Sequence, residues 1–278
     1  MLSPCSMFAI QSHALLTLCL SLMIAASAGC ASTESDKTLT VFAATSTIDV
    51  MTELLSEFEQ GRDQNVRTSY GSSSSLASMI LQGVQVDLFL SANVDWANRV
   101  EEALRSRGVD CEGVDLLSNR LVLVVHEDHT RSPLVDDALR SLKDLPSAGF
   151  NKIAVADMAS VPAGIYAKRA LQNAEVWEEI QGRLVTAADV RGALALVELG
   201  AAEAAIVYAT DAAASSIVRV EMKIPDSEQP DIRYRIVSVA DPTQKMREAD
   251  LLCFIESPAA AEVFRRHGFV PLLTGSTD

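Results

Sequence analysis

The spacing of apolar residues changes repeatedly along this chain, from the continuous runs of buried strands to the three-and-four spacing of amphipathic helices. The first run, 39–44, is followed by apolar residues at helical spacing: Met51, Leu54, Leu55 and Phe58. Two further strand and helix pairs follow, with strands predicted over 66–71 and 86–92. An order of this kind predicts a parallel sheet whose strands are joined by helices.

A second unit begins at the apolar run 120–126 and continues in the same style. Its other predicted strands are 153–157, 204–210, 218–224 and 234–240, and its predicted helices are 165–171 and 190–199. The segment 225–231 is rich in turn residues, and helical spacing returns over 257–269.

The tail after about residue 239 is too short to be a domain, so we expect it to return to the first unit. This double crossing predicts an α/β fold of two lobes, each a mostly parallel sheet flanked by helices. Lobe 1 is predicted to comprise 39–119 plus 239–278, and lobe 2 to comprise 120–238. Ligand sites in such sheets lie beyond the carboxyl ends of the strands, here in the cleft between the lobes.

The first thirty residues have the pattern of an export signal. Residues 14–26 are apolar, and small residues lead to Cys30, as at the lipid-attachment cysteine of a bacterial lipoprotein signal. No Lys or Arg precedes the apolar stretch, and Ser27 stands where Leu is usual, so a plain signal peptide cut nearby is the alternative. Residues 31–38 predict a flexible tether. We expect an exported protein, periplasmic or anchored as a lipoprotein facing the periplasm.

Composition narrows the function further. The formal net charge is −14, which disfavours nucleic acid as a partner. It also means that an anionic ligand must be captured by short-range donors and not by long-range attraction. If Cys30 carries lipid, Cys111 and Cys253 remain as thiols of the mature chain. Their spacing does not show whether they pair, and two free, mostly buried cysteines is the preferred interpretation.

Four predicted strands run into a small or hydroxylated residue with a helix directly after it. These segments are 40–46, 69–76, 154–166 and 185–194. A helix start presents unpaired backbone N–H groups and the positive end of the helix dipole. Several such starts aimed at one point would form a cage for an anion without any charged side chain.

The first two segments offer hydroxyl groups. Ser46 precedes the first helix, where it is either a ligand donor or an ordinary N-cap. Ser73 is the best donor in the run of four serines, with Ser72 or Ser74 as structural caps.

The later segments offer mainly backbone donors. Ala163 follows Pro162 at a predicted helix start and has only its N–H to give. Val190 is a second backbone donor, with Asp189 as the cap, and Arg191 is interpreted as part of a structural salt bridge. Tyr208 ends an apolar strand, where its phenol either faces a ligand or is the hydrated tip of a core residue.

Taken together and in this order, the motifs resemble those of the molybdate-binding proteins of bacterial ABC importers, which have a class II periplasmic solute-binding fold. The resemblance covers about 39–269 and rests on VFAATS, YGSSSSLA, VDLFLSA, VPAGIYAKRAL, DVRGALALVE, IVYATDA and PAAAEVFRRHGF. It implies that the ligand contacts fall on Ser46, Ser73, Ala163, Val190 and Tyr208. Thr45 departs from the family, which usually has Ala or Ser there.

The resemblance implies a monomeric binding protein that captures molybdate and tungstate and delivers them to an ABC permease and its ATPase, with no cofactor. A cage of donors favours a fully deprotonated dianion. Sulfate is therefore an alternative ligand, and a sensory lipoprotein with this fold is an alternative role. An enzyme is not expected, because the G-x-S-x-G, G-x-G-x-x-G and P-loop patterns are absent.

Overall fold

Two sheets with helices packed against them make up the described part of the chain. The structure is a computed structural model that describes residues 38–129, 139–239 and 245–272. The predicted export signal 1–30, the lipid attachment at Cys30 and residues 31–37 of the predicted tether lie outside the described residues.

Strands and helices alternate in the first part of the chain, as the sequence predicts. The elements are β1 (Thr38–Ala44), α1 (Ile48–Glu59), β2 (Asn65–Gly71), α2 (Ser73–Leu81), β3 (Leu88–Ser91), α3 (Val94–Ser106) and β4 (Glu112–Ser118). A short 3-10 turn, Thr45–Thr47, joins β1 to α1. The four apolar residues predicted to share a face of α1 are all buried. Strand β4 is not among the strands that the apolar pattern predicts.

The middle of the chain repeats this alternation. Its elements are β5 (Leu121–His126), β6 (Ile153–Ala156), α4 (Pro162–Asn173), α5 (Trp177–Ile180), β7 (Leu184–Ala187), α6 (Val190–Glu198), β8 (Ala204–Tyr208), α7 (Ala209–Ala213) and β9 (Val218–Lys223). The last elements are β10 (Arg233–Ser238), α8 (Lys245–Ile255), α9 (Pro258–Arg266) and β11 (Val270–Pro271). Helix α8 was not predicted.

Both sheets are mixed, which corrects the expectation of mostly parallel strands. Within the described residues, the first sheet has the order β11-β4-β10-β3-β1-β2 and the second β7-β6-β8-β5-β9. Strand β3 is parallel to β1, and β6 is parallel to β7 and β8. Strand β4 is antiparallel to its neighbours β10 and β11, and β5 is antiparallel to its neighbours β8 and β9. The antiparallel pairs arise where the chain enters a sheet from the other lobe or turns back along its edge.

The chain crosses between the sheets twice, which confirms the double crossing but moves its second point. It leaves the first sheet after β4 and returns as β10, which pairs with β3 and β4. The predicted division, with lobe 2 ending at 238, is therefore wrong for β10. Hydrogen bonding to two strands of the first sheet places Arg233–Ser238 in lobe 1, so the return lies between β9 and β10.

One side chain ties the two crossings together. Gln229 accepts a hydrogen bond from the N–H of Leu121 at 3.0 Å and donates to its carbonyl at 2.7 Å. This pairing imitates a strand ladder and holds the second crossing against the first. The described residues from Leu39 onward form one compact unit. No helix in these described ranges has both the length and the apolar character that a membrane span requires.

The two cysteines of the described chain are unpaired, as preferred from the sequence. Cys111 is buried, whereas Cys253 is exposed. The expectation that both are mostly buried is therefore wrong for Cys253, which lies on α8.

Candidate functional site

A small cavity lies between the two lobes, where strand ends and helix starts from both sheets converge. The structure brings all the sequence-predicted ligand residues to its lining: Ser46, Ser73, Ala163, Val190 and Tyr208. They come from distant parts of the chain, and each is at most 4% exposed. The predicted residues therefore form one cluster.

Ser46 lies in the turn between β1 and α1. Thr47 donates from its hydroxyl to the carbonyl of Ala44 at 2.7 Å, which closes this turn. The residue at the cap position of α1 is Thr47, without a side-chain cap bond, so Ser46 is not an N-cap. Its Oγ lies 2.9 Å from the Oη of Tyr234 instead.

Ser73 is the first residue of α2. As predicted, Ser72 supplies the cap, because its Oγ accepts from the N–H of Ser75 at 3.2 Å. The Oγ of Ser73 accepts from the N–H of Ala92 at 2.9 Å. With its oxygen occupied by that donor, the hydroxyl of Ser73 keeps its own hydrogen for another acceptor.

Ala163 lies in the first turn of α4, where N–H groups have no partner inside the helix. Pro162 occupies the first helical position and lacks an N–H. Gly164 explains how this turn sits so close to β6: a Cβ there would lie 2.3 Å from the carbonyl oxygens of Ala156 and Asp157. Only glycine permits this approach, which sets the position of the Ala163 N–H.

Val190 is the first residue of α6. The predicted cap is confirmed, because Asp189 Oδ1 accepts from the N–H of Gly192 at 2.8 Å. The other carboxylate oxygen of Asp189 lies 3.5 Å from the hydroxyl of Thr45 in lobe 1. The N–H of Val190 thus lies at a capped helix start on the cleft.

Tyr208 ends β8, and its hydroxyl has no hydrogen-bond partner among the described residues. Its side chain is 1% exposed, so it is not the hydrated tip of a core residue. Burial raises the pKa of the Tyr208 hydroxyl well above its usual value, which keeps it protonated. A buried hydroxyl that lines a cavity without a partner is well suited to donate to a bound anion.

Two buried polar residues that the sequence does not predict lie behind Ser46. Tyr234 is fully buried on β10, and Asn119 is buried at the first crossing. The Nδ2 of Asn119 donates to the Oη of Tyr234 at 3.3 Å and to Thr210 Oγ1 at 2.9 Å. Tyr234 gave no signal beyond its place in a predicted strand, and Asn119 gave none.

Arg191 forms the structural salt bridge predicted for it. Its guanidinium lies 2.5 Å from Asp49 in lobe 1 and 2.5 Å from Asp211 in lobe 2. Burial raises the pKa of the Asp211 carboxyl to about 7, with the charge of Arg191 opposing the shift. Arg191 therefore links the lobes and does not line the cavity among the residues described.

Two more hydrogen bonds join the lobes near the cavity. Asn93 Nδ2 donates to the Tyr166 hydroxyl at 3.1 Å, and the indole N–H of Trp96 donates to the carbonyl of Ser160 at 2.9 Å. Together with the Arg191 bridge, these contacts hold the lobes closed around the cavity.

Comparisons with known proteins give the same architecture. The family model of bacterial extracellular solute-binding proteins matches residues 39–270. The molybdate-binding protein ModA of Escherichia coli (strain K12) is 36% identical over 232 residues, which cover 83% of this chain and 88% of that protein.

Solved structures confirm the two-lobed fold. The periplasmic molybdate-binding protein of Azotobacter vinelandii has a TM-score of 0.68 at 22% identity, covering 84% of this chain and 98% of that one. The sulfate-binding protein SubI of Mycobacterium tuberculosis H37Rv has a TM-score of 0.67 at 19% identity, covering 85% and 87%. The fold alone is thus shared by proteins named for different oxyanions.

Proposed function

The chain belongs to the family of bacterial extracellular solute-binding proteins, and we propose that it captures molybdate between its lobes and delivers it to an ABC permease. The family that the sequence motifs predict is thereby confirmed. The observation that supports an oxyanion ligand is the cavity lined by Ser46, Ser73, Ala163, Val190 and Tyr208.

The chemistry of this cavity suits a doubly charged oxyanion. Its proposed contacts are three hydroxyl groups and two backbone N–H groups at helix starts. Charge-assisted hydrogen bonds of this kind contribute about 1.5–3 kcal/mol each. Five of them sum to about 7.5–15 kcal/mol before desolvation and closure of the lobes are subtracted, which supports an affinity between micromolar and nanomolar.

Selection follows from proton content and size. Molybdate, tungstate and sulfate are fully deprotonated at neutral pH, whereas phosphate keeps a proton that needs an acceptor. Leaving that proton unpaired costs roughly 1–3 kcal/mol. The size of the cage then separates molybdate from the smaller sulfate. Tungstate is almost the same size as molybdate, so the protein binds both.

Delivery depends on the two lobes acting as a clamp. The contacts of Arg191, Asn93 and Trp96 across the cleft form only when the lobes approach, and they support a closed, ligand-holding state. Closure presents a surface that combines both lobes to the permease and its ATPase. One chain contains every proposed contact, which supports a protein that works as a monomer.

The protein acts outside the cytoplasm as a binding protein and not as an enzyme. Membership of the family supports this role. The Ser73 hydroxyl accepts from a backbone N–H, and no histidine is among the described residues that line the cavity, so the serine–histidine pair of a hydrolase is not found in that lining. Export follows from residues 1–30, with lipid on Cys30 as the anchor. A Cys30→Ala variant that still partitions with membranes would contradict the anchor.

Calorimetric titration of the purified protein with molybdate, tungstate, sulfate and phosphate tests the function. We expect molybdate and tungstate to bind with affinities within about tenfold of each other. Sulfate should bind more weakly, and phosphate weakest. Tighter binding of sulfate than of molybdate would reassign the protein as a sulfate-binding protein. Failure to bind any of the four anions would reject an oxyanion ligand.

A further inference from the structure

Both serine hydroxyls of lobe 1 that line the cavity form a hydrogen bond with another group of the protein. The oxygen of Ser73 accepts from the N–H of Ala92 at 2.9 Å. A backbone N–H is a donor only, so the direction of this bond is fixed. The bond between Ser46 and Tyr234, at 2.9 Å, joins two hydroxyls, and either one is able to donate.

The partners of Asn119 decide the direction of that second bond. The Oδ1 of Asn119 accepts from the N–H of Arg120 at 2.8 Å, which orients the side-chain amide. Its Nδ2 then donates to the oxygen of Tyr234 at 3.3 Å. With its oxygen receiving that bond, Tyr234 has its hydrogen left for the Oγ of Ser46. The hydrogen of Ser46 is in turn left for the cavity.

We propose that Tyr234 and Asn119 are positioning residues that keep the Ser46 hydroxyl a donor towards the cavity and thereby set the preference for oxyanions without a proton. This inference rests on the proposed function and adds its specificity determinant. Neither residue lines the cavity, and both act through Ser46. They lie at the two crossings between the lobes, Asn119 directly after β4 and Tyr234 in β10.

The preference for anions without a proton arises because Ser46 is kept from accepting a hydrogen bond from the ligand. A free serine hydroxyl both donates and accepts, so it would serve a protonated anion as well as a deprotonated one. When Tyr234 donates to its oxygen, acceptance from a ligand proton is disfavoured. Hydrogen bonds in such a chain also polarise one another, which strengthens the donor at its end.

The test compares Tyr234→Phe with Ser46→Ala and with the double variant, by calorimetry at pH 7.5. Molybdate is titrated directly, and inorganic phosphate is measured by displacement of molybdate. We expect Tyr234→Phe to weaken molybdate about 2- to 10-fold and to lower the ratio of molybdate to phosphate affinity by at least about fivefold. In the Ser46→Ala background, the same change should alter molybdate affinity by less than about twofold.

Matched variants separate this role from a general effect on folding. Tyr70→Phe, on β2, removes a hydroxyl that lies 3.4 Å from the Oγ1 of Thr52 in α1, and it should leave both affinities unchanged. Asn119→Ala should shift the ratio in the same direction as Tyr234→Phe. If Tyr234→Phe does not fold, the affinity ratio of Asn119→Ala decides the test.

Two results would overturn the inference. One is a ratio of molybdate to phosphate affinity that is the same in folded Tyr234→Phe as in the wild type. This includes the case in which phosphate displaces molybdate from neither the wild type nor the variant. The other is an additive loss in the double variant, which assigns Tyr234 a role that does not pass through Ser46. Wild-type protein that binds no oxyanion would instead reject the proposed function itself.

Discussion

The two lobes equip the same cavity with different kinds of donor. Lobe 1 supplies the aliphatic hydroxyls of Ser46 and Ser73, and each oxygen already contacts a polar group of the protein. Lobe 2 supplies the backbone N–H groups of Ala163 and Val190 and a phenol, Tyr208, which has no partner among the described residues. One half of the cavity therefore depends on side-chain identity, and most of the other half depends on the path of the backbone.

This difference teaches where substitutions will act. In lobe 1, a proposed ligand contact is removed by deleting a hydroxyl group. In lobe 2, the side chains of Ala163 and Val190 do not make the proposed contacts. Their contacts with the ligand therefore change only when the helix start moves or the N–H is lost. Gly164 and the Asp189 cap are the features that hold those helix starts in place.

The largest effect should come from Gly164→Ala, which breaks the lobe 2 half without touching a proposed contact. The added Cβ would lie 2.3 Å from two backbone oxygens, so the first turn of α4 must shift. We expect molybdate affinity to fall by about 100-fold or more, roughly 3 kcal/mol, because the Ala163 donor is displaced. Overpacking should also lower the free energy of unfolding by about 1–3 kcal/mol.

Gly182→Ala is the matched control for this change. No atom lies within 4 Å of a Cβ placed there, so neither affinity nor stability should change appreciably. Calorimetry and chemical denaturation measure the two quantities. Molybdate affinity that survives Gly164→Ala would show that the N–H of Ala163 is not a contact.

Val190→Pro removes one lobe 2 donor and leaves the helix intact. Proline is favoured at the first helical position, and Asp189 before it has the extended backbone that proline requires. We expect affinity for molybdate to fall by about 1.5–3 kcal/mol, the contribution of one charge-assisted hydrogen bond. Circular dichroism should show unchanged helix content. Binding at the wild-type level would remove Val190 from the cavity's donors.

Ser73→Ala tests a lobe 1 contact by the same measurement, the affinity for molybdate. The variant should bind molybdate about 5- to 150-fold more weakly, a loss of about 1–3 kcal/mol. It also leaves the N–H of Ala92 without its acceptor, so some loss of stability is expected. Ser75→Ala, on the exposed side of the same helix turn, is the control. Unchanged affinity in Ser73→Ala would exclude this hydroxyl as a contact.

The sequence predicts the lobe 2 half of the cavity as well as the lobe 1 half, because both lie at strand-to-helix joins. Such joins combine an apolar run, a capping residue and helical spacing within about ten residues, and all three signals are local. The positions of Ser72, Pro162 and Asp189 follow from them, and the structure confirms each as a cap or first-turn residue.

The relay behind Ser46 was not predictable by the same means. Tyr234 lies 188 positions from Ser46, and no local pattern connects them. Strand β10 reads as part of the second unit because it follows β9, and only its hydrogen bonds place it beside β3. Helix α8 was missed because its apolar residues cluster near its end and do not repeat at helical spacing. Long-range pairing and weak periodicity are thus the limits of the sequence argument.

Asp211→Asn addresses the ion bridge that joins the two halves. Because burial raises the pKa of Asp211 to about 7, the folded protein binds its proton more tightly than the unfolded chain does. The stability contribution of this group should therefore fall as the pH rises from about 4 to 7, by up to about 4 kcal/mol. Chemical denaturation from pH 5 to 8 should show this fall in the wild type and a smaller one in Asp211→Asn. Equal slopes would mean that Asp211 ionises normally.

Val190→Ala should have the smallest effect on binding. It tests directly whether lobe 2 contacts the anion through its backbone and not through its side chains. The change keeps the N–H, the Asp189 cap and the helix, and removes only two methyl groups from a side chain that is 3% exposed. We expect stability to fall by about 1–2 kcal/mol, as for other losses of buried methyl groups, while molybdate affinity stays within about twofold. Val197→Ala, buried further along α6, should show a similar loss of stability and serves as the control. A tenfold or greater loss of affinity in Val190→Ala, with Val197→Ala unaffected, would mean that lobe 2 also recognises the anion through its side chains. The contrast with Ser73→Ala would then disappear.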